Sequence, residues 1–321
     1  MDITQPLVLI LGSRYDISCD YVIAQLRRQC TPYLRLNSED LPQLSLGLNP
    51  VRGVLEVRRG RECFHLTQEN VGSVYYRRPV FLRDYGEPNR LPFERFQRFQ
   101  WAVFLRSLMA LESCQWVNHP SATYLAEHKA VQLQTASRIG FPVPETIITN
   151  NTTHLSPMVC RNGQIVAKGL DTVLLRHGSS ETFGFTHILE RESVKEEEIA
   201  AAPVLFQEPI LNKTDVRVTV VGRDAVAVSV TAKGLPIDGD WRARKGDAEF
   251  APLELPSETA RMCVEVASQL GLSFGAIDLA LCDSEYYFLE INPTGEWAWL
   301  VDSAGLPIDS MIAGFLARPC N

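Results

Sequence analysis

Three oxygen-bearing side chains near the C-terminal end, Asp278, Glu290 and Asn292, interrupt otherwise apolar runs in "AIDLALCDSEYYFLEINPTGEWAW". Side chains two apart on a strand point the same way. Glu290 and Asn292 therefore share one face, and Leu289 and Ile291 form the other. "AIDLAL" and "YYFLEIN", joined by the polar "CDSE", have the pattern of a hairpin. With its turn near Ser284, Asp278 lies opposite Glu290. Like charges directly opposed weaken a strand pair. A cation between them relieves the repulsion, and Asp, Glu and Asn oxygens suit magnesium, a hard ion that completes its shell with phosphate oxygens. A shared proton or intervening water is the alternative solution.

The elements that must position these groups follow from periodicity. "PLVLILGS" and "DYVIAQLRRQC" give a strand and a helix, and "VRGVLEVRR" and "VGSVYYRRPV" add strands, so the first hundred residues are α/β. In "LPFERFQRFQWAVFLRSLMALES" the residues Phe93, Phe96, Phe99 or Gln100, Val103, Phe104 and Leu108 recur at helical spacing, and the aromatics are expected in a core. "AEHKAVQLQTASRIG" is a helix ending at Gly140. A domain boundary is placed near residue 120. Beyond it strand patterns dominate: "QIVAKGL", "APVLFQEPI", "DVRVTVVGRDAVAVSVTAKG" and the hairpin above.

The 321 residues carry a formal net charge of -7 and 45% hydrophobic side chains, an ordinary globular composition. The acidic balance argues against a nucleic-acid binder. "LVLILG" is too short for a membrane span or a signal core and follows no basic segment. The eight cysteines are scattered without a CxxC pair or a His-Cys cluster at zinc spacing, which points to reduced thiols in a cytoplasmic protein. His119, His128, His154 and His177 show no metal spacing. There is no Walker A sequence, no G-x-G-x-x-G and no G-x-S-x-G elbow.

Asp278 followed by Glu290-Ile291-Asn292 resembles the metal-binding signature of the ATP-grasp superfamily, and other segments follow in that family's order. The resemblance implies two α+β subdomains gripping ATP, preceded by an N-terminal α/β domain. The expected boundaries are 1–120, 121–205 with the lid, and 206–321 with the metal site. Lys129 resembles the first phosphate-contacting lysine, and Lys168, in "IVAKGL", the strand lysine of the α- and β-phosphates. "FQEPI", with Gln207, resembles the hinge whose main chain at Glu208 and Ile210 recognises adenine. Lys213 or Asp215 would lie near the ribose, and Arg217 near the reacting phosphoryl. Magnesium, as two ions, would sit on Asp278, Glu290 and Asn292.

"SVYYRRPV", "DWRARKG" and "FLEINPTGEWAWL" together are similar to the peptide-crosslinking ligases of the microviridin type, the graspetide synthetases. That resemblance implies ATP-dependent activation of Asp or Glu side chains in a ribosomal precursor peptide. Ester or amide crosslinks to Thr, Ser or Lys would follow. Arg242 is expected to hold the substrate carboxylate or acyl phosphate, because a guanidinium forks onto such groups. Arg77 or Arg78 is expected to meet the acidic peptide. The implied partners are a precursor with leader and core and a second copy of the chain, with no membrane or nucleic acid. Two other readings stay open. One is a ligase adding single amino acids, of the ribosomal-protein glutamate ligase type; the other is an ATP-binding protein that ligates nothing.

Overall fold

A computed structural model describes residues 7–77, 92–158, 161–171, 174–177, 180–183, 186–237, 239, 241 and 246–318. Two compact units emerge. The first comprises Met1–Tyr124, Gly271–Gly275 and Pro293–Asn321; the second comprises Leu125–Leu270 and Ala276–Asn292.

The first unit opens with β1 (Leu7–Gly12), α1 (Ile17–Arg28) and β2 (Tyr33–Asn37). β3 (Ser45–Asn49), β4 (Val54–Arg59) and β5 (Glu62–Thr67) make a separate antiparallel sheet in that order. β6 (Val71–Tyr76), α2 (Pro92–Ser107), β7 (Gln115–Val117) and α3 (Pro120–Ala126) follow. The main sheet is parallel, in the order β2-β1-β6-β7. All six residues of β1 are buried, as a strand covered on both faces requires. Asp16 caps α1 by accepting from Ser18 N–H at 3.0 Å. A Cβ at Gly12 would sit 2.7 Å from Cys19 Sγ, so the helix can lie this close only against glycine.

Helix α2 carries two apolar stripes. Ala102, Leu105 and Leu108 just beyond the helix are buried, and half-buried Trp101 and Phe104 pack on the same core, edge to face at 5.8 Å. Phe93, Phe96, Phe99 and Val103 are instead 67%, 57%, 48% and 47% exposed. This corrects the expectation that these aromatics belong to the core. Helical spacing holds for both stripes, and periodicity alone does not say which one the sheet covers.

The second unit begins with α4 (Lys129–Ile139), which ends where Gly140 adopts φ +103° and donates to Ala136 O and Ser137 O. One sheet holds β8 (Thr146–Thr149), β9 (Gln164–Lys168), β12 (His187–Glu190) and β13 (Val204–Gln207), in the order β12-β9-β13-β8 and antiparallel throughout. Between β9 and β12 lies the hairpin of β10 (Leu174–His177) and β11 (Ser180–Phe183). The one-turn helix α5 (Glu196–Ile199) precedes β13, and Ile165, Ile199 and Phe206 are central to this half's core. The second sheet runs β16-β15-β14-β17-β18. Its members are β14 (Thr214–Val221), β15 (Asp224–Ala232), β16 (Ala248–Leu253), β17 (Phe274–Cys282) and β18 (Glu285–Asn292), with α6 (Ser257–Gln269) between β16 and β17.

The chain then returns to the first unit as α7 (Ala298–Ala304) and α8 (Ile308–Leu316). Gln25 donates to Asp309 at 2.5 Å, and Ser73 Oγ and Gln115 Nε2 both donate at 2.7 Å to carbonyls of α8, at Leu316 and Phe315. Trp297, at 1% exposure, packs edge-on to Tyr21 and is a core residue. Asn118, also buried, uses its whole amide. Nδ2 donates to Phe274 O and Pro293 O at 2.8 Å, while Oδ1 accepts from Ser273 N and Phe274 N at 2.9 and 2.8 Å.

Candidate active site

The hairpin of β17 and β18 turns through Asp283 and Ser284, with φ +50° and +68°, the two left-handed positions of a two-residue turn. The register pairs Asp278 with Glu290. A bulge follows, because Leu279 pairs with Phe288 and leaves Leu289 extra. Leu289 and Glu290 both line the pocket described below, so simple alternation across this segment does not hold. The opposed carboxylates meet basic side chains of the chain itself. Arg217 Nη1 on β14 donates to Asp278 Oδ1 at 2.8 Å, and Lys129 Nζ at the start of α4 donates to Glu290 Oε2 at 2.5 Å. The repulsion inferred from sequence is thus met by Arg217 and Lys129. The oxygen set still fits a magnesium ion, which would take the carboxylates from those two heads. Asn292 is exposed, two residues further along the strand.

Gln132 lies one turn beyond Lys129 on α4 and is buried. Its Nε2 donates to Ile291 O at 2.9 Å and Ala126 O at 2.5 Å, and its Oε1 accepts from Ile291 N at 3.1 Å. The amide completes the edge of β18 as a neighbouring strand would, and it grips the residue between Glu290 and Asn292. By sequence Gln132 is an ordinary polar residue three positions after Lys129, and nothing in "AEHKAVQLQTASRIG" marks it as buried.

A cleft of about 840 Å³, including its open mouth, lies between the two sheets of the second unit. Its apolar lining includes Val166, Ile188, Ile210, Leu211, Trp241 and Leu289. Lys168, Gln207, Glu208, Lys213, Asp215, Asp278 and Glu290 supply its polar groups. Lys168 Nζ donates to Gln207 Oε1 at 3.0 Å. Lys213 pairs with Asp215, and its Nζ also reaches Gly239 O at 3.4 Å. Glu208 N–H donates to Glu145 O at 2.9 Å, so any recognition by the main chain of Glu208 falls to its carbonyl.

Among the residues expected from sequence, the structure gathers Lys168, Gln207, Glu208, Ile210, Lys213, Asp215, Asp278 and Glu290 on this one cleft. Lys129 and Arg217 stand directly behind its carboxylates. Arg77 is elsewhere, 4% exposed inside the first unit. It donates to Glu296 at 2.7 Å and Thr294 O at 2.9 Å, with Asp16 at 3.6 Å. Burial works against its charge, but Tyr75, Glu296 and Asp16 outweigh it and hold its pKa above the ordinary value. The Arg77 guanidinium is thus committed to the interior, and of the expectation that Arg77 or Arg78 meets the peptide only Arg78 stays open. Arg78 and Arg242 lie outside the described residues.

The family and its relatives fit this geometry. A model of the RimK-like ATP-grasp domain matches residues 126–315, more than half of the sequence. The chain belongs to the RimK-like ATP-grasp family. Three solved structures resemble it over nearly their full lengths. One is the Chryseobacterium gregarium RiPP-associated ATP-grasp ligase in complex with ADP and a leader and core peptide. It is 24% identical, with 97% of this chain and 96% of that one covered, at a TM-score of 0.83. The macrocyclase MdnB from Microcystis aeruginosa is 26% identical over 97% and 99%, at 0.74. The ATP-grasp ligase PsnB, complexed with a phosphomimetic variant of a minimal precursor, Mg and ADP, is 20% identical over 97% and 98%, at 0.73. No curated protein matches in sequence.

The RimK-like chain has a further mixed donor cluster, Glu56, Cys63 and His65, on the β4–β5 hairpin. The pair Cys63-x-His65 shares a strand face, a two-residue spacing unlike the usual zinc patterns. Arg58 already binds Glu56 at 2.8 Å. Glu56 and Cys63 approach opposite ring nitrogens of His65, at 3.8 and 3.7 Å. The donor atoms of the three lie within 4.8 Å of one another at the surface, with Glu56 already paired to Arg58. Among the described residues no helix is long and apolar enough to cross a membrane.

Proposed function

We propose that the chain is an ATP-dependent ligase that crosslinks side chains of a ribosomal precursor peptide. The observation that carries this is the cleft of the second unit, where an apolar slot at the "FQEPI" hinge leads past Lys168 to the Asp278–Glu290 pair. The slot suits a purine, with the carbonyl of Glu208 and the main chain of Ile210 at its edge. Lys168 is the phosphate contact, and Lys213 and Asp215 attend the ribose. Asp278, Glu290 and Asn292 would hold magnesium, which neutralises phosphate charge during transfer.

Charge supports two ions. Among the described residues, Lys129, Lys168, Lys213 and Arg217 balance Glu208, Asp215, Asp278 and Glu290 at this cleft. A triphosphate adds about four negative charges, which two divalent ions return to neutrality.

A carboxylate resists attack because its oxygen leaves poorly. Transfer of the γ-phosphoryl group to a peptide Asp or Glu gives an acyl phosphate and ADP. A Thr or Ser hydroxyl, or a Lys amine, then attacks the carbonyl, phosphate departs and the nucleophile's proton is lost. Arg217 offsets charge on the phosphoryl oxygens, and Arg242 holds the substrate carboxylate. We place this reaction in the cytoplasm, where ATP and an unsecreted precursor meet, and the enzyme as a homodimer.

Intact mass of acidic, Thr/Ser/Lys-containing peptides encoded beside this gene, after incubation with enzyme, ATP and magnesium, tests the proposal. Loss of one water per bond, abolished by Glu290→Gln, is the expected result. The RimK-like family match favours one second reading, addition of single amino acids. A gain of amino-acid mass would select it and end the first.

A further inference from the structure

We infer that Thr146, which lies outside the cleft lining, is a positioning residue that sets the phosphate-contacting lysine through Gln207. The inference rests on the nucleotide reading above and adds to it a residue and a direction of control. Three neighbouring strands carry the chain of contacts. Gln207 on β13 pairs with Thr146 on β8 and with Val166 on β9, and Lys168 lies two residues beyond Val166, on the same face.

Donor and acceptor roles run one way along it. Thr146 Oγ1 donates to Pro144 O at 2.7 Å, so its lone pairs face Gln207 Nε2, which donates to it at 2.9 Å. With Nε2 engaged there, Oε1 is turned toward Lys168 Nζ, 3.0 Å away. A flipped amide would set its NH2 against the lysine ammonium, donor against donor, and its Oε1 against the lone pairs of Thr146 Oγ1. Gln207 is 3% exposed, so water does not readily substitute for a missing partner. The hydroxyl of Thr146 thus selects the amide orientation that steadies Lys168. The adenine slot, formed by the hinge main chain and apolar side chains, does not depend on it.

The test is binding of Mg·ATP and of adenosine to the full chain by titration calorimetry, for wild type, Thr146→Val and Thr146→Ser. Valine keeps the shape and removes the hydroxyl; serine keeps the hydroxyl and removes the methyl. Thr146→Val is expected to weaken ATP by about fivefold, the effect of losing a hydrogen bond between neutral groups, and to leave adenosine unchanged. Thr146→Ser is expected to stay within about twofold of wild type on both ligands. If valine does not fold, Thr146→Ala takes its place with the same expectations. Unchanged ATP binding in the hydroxyl-free variant, an equal loss for adenosine, or a serine variant as weak as valine each overturns the inference. A wild-type chain that binds no ATP overturns the nucleotide reading instead, and the inference with it.

Discussion

Arg217 and Asp278 form an ion pair whose side chains are only 7% and 11% exposed. Removing one partner of such a pair strands a buried charge, whereas replacing both with apolar groups does not. Arg217→Met is therefore expected to lower unfolding free energy in urea by about 3 kcal/mol, and Arg217→Met with Asp278→Leu to recover most of it. His119 gives a pH signature at the same scale. Its Nδ1 lies 2.6 Å from Ser121 Oγ and accepts from Ser121 N–H at 3.3 Å, at the start of α3. Burial lowers its pKa below the ordinary value. A histidine depressed in the folded state contributes stability that is complete above its unfolded pKa of about 6.5. That contribution is lost as pH falls through the folded value. Imidazole nitrogen shifts of the folded protein should titrate below the unfolded value of about 6.5, and a midpoint above about 6.5 would contradict the assignment. The opposition of Asp278 and Glu290 was legible because strand period and turn chemistry are local. Lys129 and Arg217 as their partners were not, since they lie 161 and 61 residues away along the chain.

At the scale of elements, α2 tests how far an apolar side chain's position decides its worth. Phe96, at 57% exposure, should be replaceable by serine with a change of about 0.5 kcal/mol or less. Leu105, at 6%, should cost about 2–5 kcal/mol on truncation to alanine. Thermal or urea unfolding of the two variants checks this, and equal losses would mean that the first stripe is covered. The helix itself was readable from its spacing. Which stripe faces inward depends on the sheet beneath, a non-local fact. The same limit explains the Leu289 bulge: one inserted residue in β18 leaves the apolar pattern intact while turning an additional side chain toward the cleft.

For the molecule as a whole, the chain passes between its two units at 124/125, 270/271, 275/276 and 292/293. In the sequence a boundary is placed near residue 120, where α/β alternation gives way to strand-rich patterns; the first passage between units is at 124/125. The return of 293–318 was not legible there, because nothing local in "EWAWLVDSAGLPIDSMIAGFLAR" says which unit it covers. A fragment of residues 1–124 lacks α8, whose Asp309 holds Gln25 and whose last carbonyls accept from Ser73 and Gln115. It is expected to fail to fold, seen as collapsed amide dispersion in NMR spectra. A cooperatively folded fragment would show that the return is dispensable.

The lysine and arginine on the opposed carboxylates have a consequence for how such a protein is made. A site that carries its own counter-ions does not need metal in order to take shape. On the proposed function, folding would need no magnesium, because Lys129 and Arg217 already meet the carboxylates. On that same reading, magnesium would draw the carboxylates from the lysine and the buried arginine, and those two heads would turn to phosphate.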